Sequence, residues 1–238
     1  MKTQDISYRD GAVNLNGFLA YDETKTGKRP GVLVIHEAWG LGNHAKERAK
    51  MLAGLGYVAF AADMFGDRKQ VSDMNEAMAI ITDLLGNPAK GRARTRAALT
   101  TLLAQPQVDA SRVGAIGFCF GGSSVLELAR DGGDVKGVIS FHGGLQTQAP
   151  AQKGAVKAKV LVCTGADDPM IPAAAVNTFE EEMRNAGADW QVITYGGTVH
   201  SFTNPEANGS INPAILYNKR TDERSWAALK SFFAEAFA

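Results

Sequence analysis

An α/β fold, with a mostly parallel twisted sheet and helices on both faces, is what this sequence predicts, and three features carry the prediction. Short segments that are apolar without alternation recur, among them Val32-Leu33-Val34-Ile35, the run from Tyr57 to Ala62, and Val160-Leu161-Val162. A strand covered by helices on both faces has no wet side, so it loses the period-two pattern of a half-exposed strand. Segments of helical periodicity separate these runs, and strands alternating with helices imply βαβ units. Finally, Glu37, Asp63, Cys119, His142, Asp168 and His200 each follow a predicted strand, at the sheet edge where such folds bind ligands.

The elements follow in order along one domain, residues 1–238, with no linker, repeat or low-complexity tract. Residues 3–22 alternate polar and apolar around Asp10-Gly11, a hairpin signal. After a turn at Gly27–Pro30, Gly31–His36 is a central strand. Asn43 caps a helix running to about Leu55, and Gly56 ends it. Tyr57–Ala62 is a strand, and Asp73–Leu85 and Pro88–Ala104 are helices, the first a candidate cap over the sheet edge. Pro106–Ser111 is a loop into the strand Arg112–Ile116, and Ser123–Arg130 is a helix. Val135–Phe141 and Lys159–Gly165 are strands, with a surface loop between them at 146–157. Helix Pro172–Ala186, strand Trp190–Tyr195, a long loop Ser201–Lys219 and a helix Asp222–Ala236 complete the chain.

Composition excludes several classes of function. Lys plus Arg number 25 and Asp plus Glu 25, so the net charge is zero; with no dense basic run there is no electrostatic case for nucleic acid or an anionic membrane. No apolar run approaches the ~18 residues of a membrane span, and Met1–Asp5 lacks the apolar core of a signal peptide. The two cysteines make a disulfide framework unexpected. A reducing, cytoplasmic setting would keep both as thiols, with Cys163 in a buried strand. No spacing of His, Cys and carboxylates suggests a metal, and no Gly-rich phosphate fingerprint is present, so no cofactor is expected.

The chemistry centres on Gly117-Phe118-Cys119-Phe120-Gly121-Gly122, a Gly-x-Cys-x-Gly pattern between a strand and a helix. The tip residue of such a turn takes a strained backbone conformation, so the residues two before and two after must be small. The strain projects the Cys119 sulfur above the sheet edge. It also sets the Phe120 N–H at a helix N-terminus, where negative charge is favoured. This is the nucleophile elbow of the α/β-hydrolase fold, with cysteine in place of serine. A thiol needs a base, and the base needs an orienting acid. His200, after Gly196-Gly197, and Asp168, directly before Pro169, supply them in the order nucleophile, acid, histidine of that fold. Asp167 is then a solvated turn residue, and His142 packs near the site.

Gly-Phe-Cys-Phe-Gly-Gly at 117–122, Gly-Ala-Asp-Asp-Pro-Met-Ile-Pro at 165–172, His200-Ser201-Phe202 and His36-Glu37-Ala38-Trp39-Gly40 together resemble the dienelactone hydrolases, from about Gly31 to the last helix. The resemblance implies Cys119 as nucleophile, His200 as base and Asp168 as its partner. It implies that Glu37 hydrogen-bonds the resting thiol and takes part in activating it, and that Phe120 and Ala38 N–H groups form the oxyanion hole. The chain departs from the family in one respect. Dienelactone-cleaving members carry an arginine four residues after the histidine, gripping a substrate carboxylate, and here that position is Asn204. An amide does not replace a guanidinium clamp; Arg68 is the remaining candidate cation, from the cap side. Trp39, Phe120 and Phe202 would line an apolar pocket, near His142, and Phe118 reads as core.

The expectation is therefore a cysteine-dependent hydrolase of a small, uncharged aryl or alkyl ester or lactone, acting through a thioester as a monomer or small homo-oligomer. Two alternatives stay open: the same triad attacking a neutral phosphotriester, or a redox-sensing or ligand-binding protein on a hydrolase scaffold.

Overall fold

A computed structural model describes residues 1–238. Its strands are β1 (Lys2–Asp10), β2 (Val13–Tyr21), β3 (Arg29–Ile35), β4 (Val58–Ala62), β5 (Val108–Phe118), β6 (Gly137–Phe141), β7 (Lys159–Gly165) and β8 (Trp190–Tyr195). They form one sheet in the order β1-β2-β4-β3-β5-β6-β7-β8. The β1–β2 and β2–β4 pairs are antiparallel and every other pair is parallel. The helices are α1 (Asn43–Gly54), α2 (Met74–Leu85), α3 (Pro88–Leu103), α4 (Phe120–Arg130), α5 (Ala173–Ala186) and α6 (Lys219–Ala236). None is long and apolar enough to cross a membrane.

The central strands are buried over the stretches that approach their carboxyl ends because each face carries its own core. On one side Leu33, Phe60, Val113 and Val160 pack with Leu102 of α3, Leu126 of α4 and Phe179 of α5. On the other, Val34, Ile116, Ile139 and Leu161 pack with Leu52 of α1 and Phe233 of α6. This two-sided burial is the physical origin of the unalternating apolar runs.

Register sets the site. Ile35 is opposite Gly117, Phe118 opposite Phe141, and Phe141 opposite Cys163, so β3, β5 and β6 end near one level and β7 runs two residues further. From β3 the chain crosses to β4 on one side and, later, to β5 on the other. The crevice opens between the carboxyl ends of β3 and β5, where Glu37, Ala38 and Cys119 lie.

Several boundaries differ from expectation. β5 begins at Val108, within the expected loop 106–111, because Val108 and Asp109 pair with Arg29 and Pro30 before a register shift; backbone pairing hides behind the polar Asp109-Ala110-Ser111. α4 starts at Phe120 rather than Ser123, since the backbone turns at Cys119 directly into the helix. Gly42, not Asn43, occupies the N-cap of α1, and no side chain caps it. α6 starts at Lys219, capped by the Asn218 side chain accepting from the Thr221 N–H.

Candidate active site

At the tip of the elbow Cys119 has φ 52° and ψ −116°, a left-handed conformation that costs a non-glycine residue energy unless its surroundings impose it. The surroundings are specific. A Cβ on Gly117 would overlap the Gly121 carbonyl, and one on Gly121 would overlap the Ile35 carbonyl, so strand, turn and helix close only around glycine. The Cys119 N–H is shared between Phe141 O at 3.0 Å and His142 Nδ1 at 3.1 Å. His142 is itself at φ 42° and fully buried, and its Nε2 lies 2.8 Å from the Thr203 hydroxyl. Because Nδ1 accepts, Nε2 is the protonated nitrogen and donates to Thr203. His142 thus braces the elbow from below.

His200 is buried, and its Nδ1 lies 2.7 Å from Asp168 Oδ2. Asp168 Oδ1 accepts from the Met170 N–H at 2.9 Å, which fixes the carboxylate; Asp167 is exposed. His200 is tethered on its own backbone as well, donating its N–H to Ala214 O and accepting from the Leu216 N–H. The expected long loop at 201–219 is therefore folded back onto the histidine. Burial works to lower the His200 pKa, but the facing Cys119 charge and the Asp168 hydrogen bond outweigh it and raise the value. Its Nε2 has no conventional hydrogen-bond acceptor.

Glu37 departs from expectation. Its Oε2 accepts from Asn204 Nδ2 at 2.6 Å and lies 3.4 Å from His44 Nδ1, while its Oε1 is buried without a partner. No hydrogen bond joins it to the Cys119 thiol. An amide is a stronger donor than S–H, and the Asn204 amide reaches the carboxylate here with the His44 ring beside it. Burial works to raise the Glu37 pKa; the neighbouring His44 and the Asn204 hydrogen bond outweigh it and bring it down to about 2, so the carboxylate is ionised.

Cys119, His200, Glu37, Ala38, Trp39 and Phe120 line one cleft of about 430 Å³. Its far wall is apolar, built from Met74, Met78, Ile81 and Leu85 of α2 with Met170 and Ile171. The Ala38 N–H donates to no other group, and the Phe120 N–H opens α4, where first-turn amides lack intrahelical acceptors. Both are free to bind a developing oxyanion.

Four expected pocket residues lie elsewhere. Arg68 pairs with Asp5 and donates to the Asn16 and Gly17 carbonyls, so the β1–β2 hairpin holds it away from the cleft. Phe202 is fully buried, its ring against His142 and Tyr195. His142 lies beneath the elbow, and Asn204 serves Glu37 instead of facing the thiol. Two histidines without sequence signal do matter. His36 donates from Nδ1 to Glu37 O at 2.6 Å and accepts from the Met64 N–H at 3.2 Å, tying the loops after β3 and β4 together. His44 is the second partner of Glu37. The α2 wall had a legible signal: apolar residues on that helix extend beyond the single stripe needed to cover the sheet.

The neutral histidines make a pH prediction. Burial lowers the pKa of His36, and burial followed by the His200 charge lowers that of His142, both below 6.5. Unfolding lets them bind protons below that value, so stability present above pH 6.5 is lost as the pH falls, by up to about 1.4 kcal/mol per pH unit for each group. His200, with its raised pKa, stays protonated in the native state, so it opposes this slope around pH 6.5, where the unfolded chain is still taking up its proton, and adds none at lower pH. Urea unfolding between pH 7 and 5 is expected to show the decline; a flat profile would contradict the neutral assignment.

The dienelactone hydrolase family model matches residues 15–237. A solved structure named m3DLH is 45% identical with a TM-score of 0.96, covering 100% of this chain and 99% of its own. A dienelactone hydrolase-like promiscuous phosphotriesterase from metagenomic libraries is also 45% identical, with a TM-score of 0.95 and the same coverage. An uncharacterized Caenorhabditis elegans protein is 37% identical over 156 residues, 63% of this chain and 96% of its own length.

Proposed function

This chain belongs to the dienelactone hydrolase family of ester-hydrolysing enzymes, and from that premise we propose that it is a cysteine-dependent hydrolase of uncharged carboxylic esters. The observation that carries the reading is a single constellation: a thiol at a strained elbow, in one cleft with a histidine bonded at 2.7 Å to a buried carboxylate. Cys119 attacks the ester carbonyl as its thiolate, the Phe120 and Ala38 amides hold the oxyanion, and protonated His200 gives its proton to the departing alkoxide. The thioester is then hydrolysed by water, with His200 as base.

Charge supports the restriction to uncharged substrates. The cleft contains no lysine or arginine, and Glu37 contributes a negative charge. Matched aryl esters with and without a carboxylate near the scissile bond are expected to differ at least tenfold in kcat/KM, in favour of the neutral one, the size of one lost charge-assisted hydrogen bond of about 1.5–3 kcal/mol. Preference for the carboxylated ester would mean that a cation enters the site. The reading as a whole is tested with p-nitrophenyl acetate: turnover with release of p-nitrophenol and an acetyl adduct on Cys119 after rapid quench is expected. No turnover on any aryl ester, lactone or alkyl ester would overturn it.

A second reading is favoured by the 45% identity to a promiscuous phosphotriesterase. A neutral phosphotriester suits the same uncharged wall, the same amides would bind the phosphoryl oxygen, and Cys119 would carry the phosphoryl group. Turnover of a diethyl aryl phosphate that persists in chelator is the expected result; dependence on added metal would exclude it.

A further inference from the structure

Beside Cys119 and His200, Glu37 is the only ionisable side chain lining the cleft, and the relay described above leaves it without a task. Its two oxygens stand in different situations. Oε2 accepts a hydrogen bond from Asn204, 167 positions away along the chain, with His44 Nδ1 close by at 3.4 Å, whereas Oε1 is buried with no donor. An ionised, buried oxygen with open lone pairs is strongly disposed to accept a hydrogen bond from whatever polar group enters the cleft. During attack on the ester, the cleft holds the whole substrate. After the alcohol has left, the covalent intermediate needs a water oriented toward its carbonyl. A single imidazole accepts one proton from that water but leaves the other O–H free to rotate.

We propose that Glu37 Oε1 orients the water that resolves the covalent intermediate, with Asn204 as the positioning residue that pins its other oxygen. The proposal rests on Cys119 being the nucleophile. In the step, water donates one hydrogen bond to Oε1 and transfers its other proton to His200 Nε2. Its oxygen bonds to the acyl carbon, and through the tetrahedral adduct the carbon–sulfur bond breaks with the electron pair going to sulfur. His200 returns the proton to the thiolate, so the thiol and a carboxylic acid are formed. Glu37 ends as it began, because its carboxyl is too acidic to keep a proton. The hydrogen bond from Asn204 serves the same end, since it occupies one oxygen and leaves the other without a donor.

The test follows the two phases separately by stopped flow with p-nitrophenyl acetate in wild type, Glu37→Gln, Asn204→Ala and Cys119→Ala. In Glu37→Gln the p-nitrophenol burst keeps its rate constant within a few-fold and approaches one equivalent. Its steady-state rate falls roughly 10- to 100-fold, the loss of one charge-assisted hydrogen bond, and the acetyl adduct accumulates on Cys119. Hydroxylamine, which attacks the thioester without needing such orientation, restores turnover. Asn204→Ala, which retains the carboxylate, changes in the same direction by less and serves if Glu37→Gln does not fold. A slowed burst in Glu37→Gln, or no adduct in either variant, overturns the proposal. A burst that survives in Cys119→Ala instead overturns the nucleophile assignment on which it rests.

Discussion

Cys119→Ala is expected to abolish ester hydrolysis while the protein stays folded, whereas Cys163→Ala keeps nearly full activity. Removing the nucleophile of a hydrolase triad costs on the order of 10⁶ in kcat, so residual turnover should be at background. The fold survives because the elbow's conformation is imposed by Gly117, Gly121 and the shared N–H of residue 119, none of which involves the sulfur. Cys163 is the contrast. It lies in β7 with no exposed surface, and burial pushes its thiol up to about 12, so it is not a thiolate at neutral pH and has no path to a substrate. Its loss leaves a small cavity, costing roughly 1 kcal/mol of stability by the scale of core deletions. Iodoacetamide should label Cys119 first in the native protein. Equal labelling of the two cysteines, or full activity without Cys119, would remove the nucleophile assignment.

Asp168→Asn is expected to lower kcat by about 10⁴, the loss seen when the orienting acid of a serine-protease triad becomes an amide, while Asp167→Asn stays within a few-fold of wild type. Asp168 Oδ2 takes the hydrogen bond of His200 Nδ1 and Oδ1 takes the Met170 N–H. That second bond anchors the side chain, so an asparagine whose amide faced His200 would present a donor to a donor or hold the wrong imidazole tautomer. Asp167 is exposed, and its only mapped bond is its backbone N–H to Thr198 O, which any residue preserves. Kinetics of the two variants with one neutral ester decide the matter, and a larger loss in Asp167→Asn would mean the wrong carboxylate has been chosen.

What the sequence determined by itself was whatever local sterics and chain order can specify. Gly117 and Gly121 around Cys119 announced the elbow because only a residue without Cβ permits that approach, and a requirement of this kind is written in the residues themselves. The unalternating strands announced the sheet because a strand covered on both faces has no wet side. Asp168 and His200 were legible because parallel strands deliver the residue after each strand to one edge, so chain order alone brought them together. What only the tertiary structure decided was competition among partners separated by long loops. Glu37 could bond the thiol, Asn204 or His44, and the packing that brings Asn204 across 167 positions to 2.6 Å settles it. Arg68 could reach the cleft or the hairpin, and the hairpin supplies both a carboxylate and two carbonyls. Phe202 could line the cleft or the core, and the β8 side chain Tyr195 together with His142 encloses it. In each case more than one placement is chemically possible. The choice among them depends on distances that the order of residues does not contain, because a loop of many residues has many ways to close and tertiary packing selects one.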